Sequence, residues 1–231
     1  MSTAMSLNPE RRNEIVVLIH GLGRSSCSML RAGFWFQKAG YRVAYISYPS
    51  RTISIAAAVK NHVAPSLEKL AHRTDPSKFH FVTHSLGGII YRAWAAQAEA
   101  DYPLGRSVLI APPNNGSEIA DRVRHWPIAR ALMGPVIQEL GTDENSTPRS
   151  LGPAIGEVGV IMGDQAKLPF FRHWLGPQSD GVVTVAGGKI EGLKDFCVMP
   201  AGHALIMWRP RILKAAEHFI REGCFPASCR R

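Results

Sequence analysis

Ile15-Val16-Val17-Leu18-Ile19 is an unbroken aliphatic run, and it constrains the fold more than any other stretch of the chain. Successive side chains of a strand point to opposite faces, so a run without polar alternation must be covered on both sides. It ends at His20-Gly21-Leu22-Gly23, a tight turn. Residues 41–48 (closed by Pro49), 79–83, 107–110 (ended by Pro112-Pro113), 156–162 and 195–199 read as further strands. Between them, helical spacing runs over 28–40, over 53–73 with Pro65 starting or kinking the second half, and over 86–98. A closing amphipathic helix is predicted over 204–221, with Pro210 near a kink or break. The alternation predicts an α/β fold with a mostly parallel central sheet and helices on both faces. Ligands in such sheets bind outside the carboxyl ends of the strands, where Gly21-Leu22-Gly23, Ser85 and Pro112-Pro113 would lie.

The 231 residues, 45% hydrophobic, suit a single domain over 1–231. Residues 114–153 break the alternation, with helical pieces at 119–123 and 128–140, and read as a short cap or insertion near the carboxyl ends. Lys and Arg outnumber Asp and Glu 27 to 18, a net charge of +9 that would attract anionic substrates, acidic lipid surfaces or nucleic acid. The basic residues are scattered (Arg11, Arg12, Arg122, Arg124, Arg209, Arg211), with no zinc-finger spacing, RNA-binding aromatic signature or basic helix. Nucleic acid is therefore not an expected partner, and the charge reads as a solvated surface. The first thirteen residues hold no apolar h-region, and no window approaches the roughly eighteen apolar residues of a membrane span. The expectation is a soluble cytoplasmic protein without stable membrane insertion, or a secreted one had a leader been removed. Cys27, Cys197, Cys224 and Cys229 form no CxxC pair or metal-binding spacing. Cys224 and Cys229 bracket a Phe-Pro-Ala-Ser turn and could join under oxidising conditions; free thiols are expected.

The stretch Phe79-His80-Phe81-Val82-Thr83-His84-Ser85-Leu86-Gly87-Gly88 turns from strand to helix at Ser85. A corner this sharp needs small residues two positions to either side, here Thr83 and Gly87. It presents the hydroxyl outward beside a helix N-terminus that favours developing negative charge, as a nucleophile in acyl transfer requires. The other reading is that Ser85 only caps the helix starting at Leu86. A serine nucleophile needs a base, and the base an orienting acid; on such a corner both follow in chain order, acid then histidine. His203, after the last predicted strand, is the candidate base. His84 and His20 read as supports for their turns, and the remaining histidines as solvated or packing residues. Asp180, in a turn between the last two strands, is the preferred acid; Asp164, directly after the fifth strand, is its rival, and Asp195 starts a strand and would face the opposite end. The two oxyanion donors would be the backbone N–H groups of Leu22 and Leu86.

On these residues the chain resembles the bacterial α/β-hydrolases of the lipase/esterase type. The resemblance is carried in order by Ile19-His20-Gly21-Leu22-Gly23, Thr83-His84-Ser85-Leu86-Gly87-Gly88, Ser179-Asp180-Gly181-Val182-Val183 and Gly202-His203, and spans nearly the whole length. Small members often have alanine at the first glycine of the serine corner, a variation Thr83 extends. The family's acid commonly lies in a Ser-Asp-Gly turn, which favours Asp180. Pro112-Pro113-Asn114-Asn115-Gly116-Ser117 is similar to the family's loop lining the site, or is an ordinary turn with Ser117 as a helix cap. The resemblance implies a serine carboxylesterase acting on short- to medium-chain esters, with no metal or organic cofactor. The alternatives are a lipase or phospholipase working on long-chain lipid esters at an interface, or a non-catalytic ligand-binding relative. Ile128, Leu132, Val136, Ile137 and Leu140 could offer an apolar face to an acyl chain or pack against the core.

Overall fold

The computed structural model describes residues 11, 13–99, 102–166 and 173–229. Six strands, β1 (Glu14–Ile19), β2 (Arg42–Ile46), β3 (Lys78–His84), β4 (Leu104–Ile110), β5 (Val158–Gly163) and β6 (Asp195–Met199), form one sheet in the order β2-β1-β3-β4-β5-β6. Every neighbouring pair is parallel. β1 explains why its sequence has no polar alternation. Ile15, Val17 and Ile19 join one apolar core with Phe79, Phe81 and Leu109, while Val16 and Leu18 join a second core on the other face with Val82, Val108 and Ile110.

Helices cover both faces. Following a 3₁₀ turn at Ser26–Met29, α1 (Leu30–Lys38) packs on the second core through Ala32 and Phe36. α2 (Ile55–Ala58) is capped by the Ser54 hydroxyl, which accepts from the Ala57 N–H at 3.1 Å, and runs through a π turn at Val59–Val63 into α3 (Ala64–Thr74). Pro65, in the first turn of α3, has no N–H for the ladder, and the widened turn before it absorbs that gap. α4 (Leu86–Ala95) is buried along its whole length and follows β3 through Ser85 alone.

Between β4 and β5 lie α5 (Glu118–Val123), α6 (Pro127–Met133), α7 (Val136–Glu139) and α8 (Thr147–Ser150). The single helix predicted over 128–140 is two helices. Gly134 at φ 76° and Pro135 end α6, because neither that backbone nor a residue lacking its N–H continues a right-handed ladder. The closing segment is also divided. His203–Trp208 forms a 3₁₀ turn and α9 (Pro210–Glu222) begins at the proline, which forces Arg209 into extended backbone. Pro210 thus opens a helix instead of kinking one. All four cysteines are free thiols, and Cys229 lies beside Cys197 of β6. Among the described residues no helix is long and apolar enough to cross a membrane.

Candidate active site

Because all strands are parallel, their carboxyl ends share one edge of the sheet. β1 has β2 on one side and β3 on the other, so the chain reverses its direction of progress there, the position where α/β sheets open a crevice. The loops after β1 and β3 meet at that crevice. Gly87 lets them close: a Cβ there would lie 2.5 Å from the Ile19 carbonyl oxygen and 2.7 Å from that of His20. Gly88 does the same for the next loop, since its Cβ would meet Pro112 Cβ at 2.9 Å. The same bare position, 3.4 Å from Thr83 Oγ1, gives the β-branched Thr83 its space. A second glycine after the corner thus compensates for the missing one before it.

Ser85 sits at φ 54°, ψ −125°, a conformation L-residues adopt only where surrounding structure imposes it. Its N–H donates to the Ile110 carbonyl at 2.9 Å, and its carbonyl accepts from Gly88 N–H at 2.8 Å. The hydroxyl accepts no bond from α4, so Ser85 is not the side-chain cap of that helix. It lies 2.9 Å from His203 Nε2 instead. His203 Nδ1 is 2.7 Å from Asp180 Oδ2. A carboxylate can only accept, so Nδ1 carries the ring proton and Nε2 is the acceptor facing Ser85. The other Asp180 oxygen accepts from the N–H groups of Val182 at 2.9 Å and Val183 at 2.8 Å, and the Asp180 carbonyl accepts from His203 N–H at 3.0 Å. Asp180 is buried with both oxygens occupied, which fixes the plane of the imidazole.

The structure therefore brings Ser85, His203 and Asp180 into one hydrogen-bonded line. Asp164 is not a partner of His203; its Oδ1 is buried with no hydrogen-bond partner among the described residues. Asp195, at the far end of the sheet, accepts from Phe196 and Phe225 N–H. His20 stacks on Tyr48 with ring centroids 4.5 Å apart, and the Tyr48 hydroxyl donates to the His20 carbonyl at 2.8 Å, which ties the β1 loop to the β2 loop.

His84 does more than steady its own turn. Its Nε2–H donates to the His203 carbonyl at 3.1 Å, holding the histidine loop from beneath. Burial drives its pKa well below the ordinary imidazole value, with the charges of His203 and Arg24 acting the same way against the hydrogen bond, so the ring is neutral at physiological pH. The sequence placed His84 beside the serine but carried no sign of its distant partner.

A cavity of about 460 Å³ opens on Ser85 and His203. Leu22 and Leu86 both border it. Ile119, Ala120, Leu132, Ile137, Leu140 and Val183 give it a predominantly apolar lining. Of the apolar face expected over 128–140, Leu132, Ile137 and Leu140 reach this cavity, Val136 is core, and Ile128 is 74% exposed. Pro113 and Ser117 line it too, and Ser117 also caps α5 by accepting from Ala120 N–H at 3.4 Å, so the two readings of that loop are both met. Arg24 and Arg51 stand at the edge of the cavity, and no residue pattern in the sequence had singled them out.

Residues 15–145 match the family model described as palmitoyl protein thioesterase. No curated protein sequence matches significantly. Among solved structures the chain is similar to the mature form of Bacillus licheniformis lipase BlEst2, with a TM-score of 0.64 at 19% identity over 83% of this chain and 84% of that one. It is similar to phospholipase PlaB from Legionella pneumophila, with a TM-score of 0.70 at 18% identity over 89% of this chain and 56% of that one. The metagenomic carboxyl esterase MGS0156 gives a TM-score of 0.63 at 16% identity over 84% and 66%. With the parallel six-stranded sheet, these likenesses define the fold as that of the α/β-hydrolases. Since the matching family model covers more than half of the 231 residues, the chain belongs to the palmitoyl protein thioesterase family.

Proposed function

We propose that the chain is a serine hydrolase cleaving short- to medium-chain carboxylic esters through an acyl-serine intermediate. The observation that carries this reading is the line Ser85 Oγ, His203 Nε2, His203 Nδ1, Asp180 Oδ2, at 2.9 and 2.7 Å, opening on an apolar cavity. His203 takes the hydroxyl proton as Ser85 Oγ attacks the acyl carbon, and Asp180 stabilises the imidazolium. The oxyanion is held by the N–H groups of Leu22 and Leu86. Collapse of the tetrahedral intermediate breaks the ester C–O bond, and His203 returns the proton to the departing alkoxide. Water, deprotonated by the same ring, then releases the acid. Residues 114–153 act as a short insertion on a single hydrolase domain and supply most of the acyl wall.

A second reading, long-chain lipid esters or S-acyl thioesters, is favoured by the family description and by the exposure of Trp126, Ile128 and Leu132 along α6, the helix whose Leu132 borders the cavity. Rates on para-nitrophenyl acetate, butyrate, octanoate and palmitate, and on the matching thioesters, separate the two. A maximum at butyrate or octanoate in dissolved substrate supports the first reading. A steep gain on palmitoyl or emulsified substrate replaces it with the second, and hydrolysis unaffected by Ser85→Ala contradicts both.

A further inference from the structure

The residues bordering the cavity include two arginines and, among the described residues, no carboxylate. Neither Arg24 nor Arg51 forms an ion pair among the described residues. Their placement is specific. Arg24 donates from Nη2 to the Ala204 carbonyl at 2.7 Å, which sets its guanidinium beside the residue following His203. The Arg51 guanidinium lies over Gly23, its Nε 3.3 Å and Nη2 3.7 Å from where a Cβ of that glycine would stand, so the bare loop next to Leu22 accommodates it. Arg51 is anchored from below as well: its carbonyl oxygen occupies the space of a Gly134 Cβ, at 1.6 Å, where the α6–α7 break packs against it. The apolar side chains of the cavity come from α5 to α7, while Arg24 lies beside the residue that follows His203, the ring that would hand a proton to the departing group, and Arg51 lies over the neighbouring Gly23.

We propose that Arg24 and Arg51 form a seat for a phosphate on the leaving group, so that the preferred substrates are acyl esters or thioesters of phosphate-bearing alcohols or thiols. This rests on the reading of Ser85, His203 and Asp180 as the reacting set. Ser85 Oγ bonds to the acyl carbon as the C–O or C–S bond breaks, and the proton held by His203 passes to the departing oxygen or sulfur. The two guanidiniums meet the phosphate oxygens in the planar geometry that arginine provides and lysine does not. A soluble phosphate-bearing thiol and a glycerophosphate headgroup share this chemistry.

The test compares kcat/KM on the octanoyl ester of para-nitrophenol with that on the octanoyl ester of its carboxylated analogue, hydroxynitrobenzoate, whose leaving group is an anion. Arg51→Ala and Arg24→Gln are each expected to lower the anionic-to-neutral ratio about tenfold, Arg51→Glu to lower it further, and Arg51→Lys to recover part of it. Octanoyl-coenzyme A and dioctanoyl phosphatidate then separate the sources, and arginine dependence on either one supports the seat and identifies its ligand. Ratios within about twofold of the parent in all of the charge-removing variants, with no arginine dependence on either phosphate substrate, overturn it. Fluorophosphonate labelling of Ser85 in each variant keeps the two claims apart. Normal labelling with an unresponsive ratio rejects the arginine seat alone, whereas an unlabelled Ser85 in the folded parent protein rejects the serine reading beneath it.

Discussion

At the residue scale, the proposed chemistry depends on which nitrogen of His203 carries the proton. Asp180 settles this through a 2.7 Å contact, with its other oxygen tied to Val182 and Val183 N–H. Asp180→Asn keeps the shape but presents an amide that can donate to Nδ1, stabilising the tautomer with its proton on the wrong nitrogen. It is expected to lower kcat by about 10⁴-fold while leaving the fold intact, as measured by ester hydrolysis and circular dichroism. His84 supplies a separate prediction through stability. Its folded-state pKa is depressed, chiefly by burial, and burial depresses that of His20 as well. As pH falls below about 6.5, the unfolded chain binds protons at these rings and the folded chain does not, so stability present at neutral pH is lost on acidification. The urea midpoint is expected to fall between about pH 7.5 and about pH 5.5, and His84→Gln, which can still donate to the His203 carbonyl, to flatten that fall. Ser85 and His203 were legible from the sequence because each follows a strand, with small residues around the turn, and Asp180 because it lies in a Ser-Asp-Gly turn between the last two strands. The partner of His84 was not, since a bond to a carbonyl 119 positions away leaves no local mark.

At the scale of elements, the corner between β3 and α4 packs closely against the loop after β1. Gly87→Ala would drive a methyl group to 2.5 Å from the Ile19 carbonyl, against strand backbone that cannot swing away. We expect a loss of about 1–3 kcal/mol in urea unfolding, of the size found for overpacked cores, together with loss of the proposed esterase activity as the β1 and β3 loops separate. The strands were readable because unbroken aliphatic runs must be buried on both faces. The stretch from 128 to 140 is two helices and not one because Gly134-Pro135 ends the first, a break concealed by apolar spacing that persists through the dipeptide. Likewise Pro210 marked a disruption in the sequence, while its location in the first turn of α9 became clear only with the 3₁₀ segment before it.

At the scale of the whole molecule, the proposed function depends on one edge of a parallel sheet collecting the candidate nucleophile, its hydrogen-bond partners and an apolar wall from stretches more than 100 residues apart in sequence, as the Ser85–His203 separation of 118 shows. The sheet and the order of its parts could be read from the chain, because alternation and parallel pairing impose them. Of the cavity only the apolar spacing that carries Leu132, Ile137 and Leu140 could be read; the rest of its wall comes from α5 and the loop after β1, whose mutual packing no periodicity encodes. Ala120, the smallest side chain that α5 to α7 contribute to that wall, tests it: Ala120→Phe should shorten the acyl preference, lowering the octanoate-to-butyrate ratio of kcat/KM by about tenfold, while an unchanged ratio would place the acyl chain elsewhere. The most direct test of the central claim is mass-spectrometric mapping of a fluorophosphonate adduct on the folded protein. The account predicts a single adduct on Ser85, absent in Ser85→Ala and formed far more slowly in His203→Ala; an adduct on a different serine, or labelling of Ser85 that does not depend on His203, would contradict it.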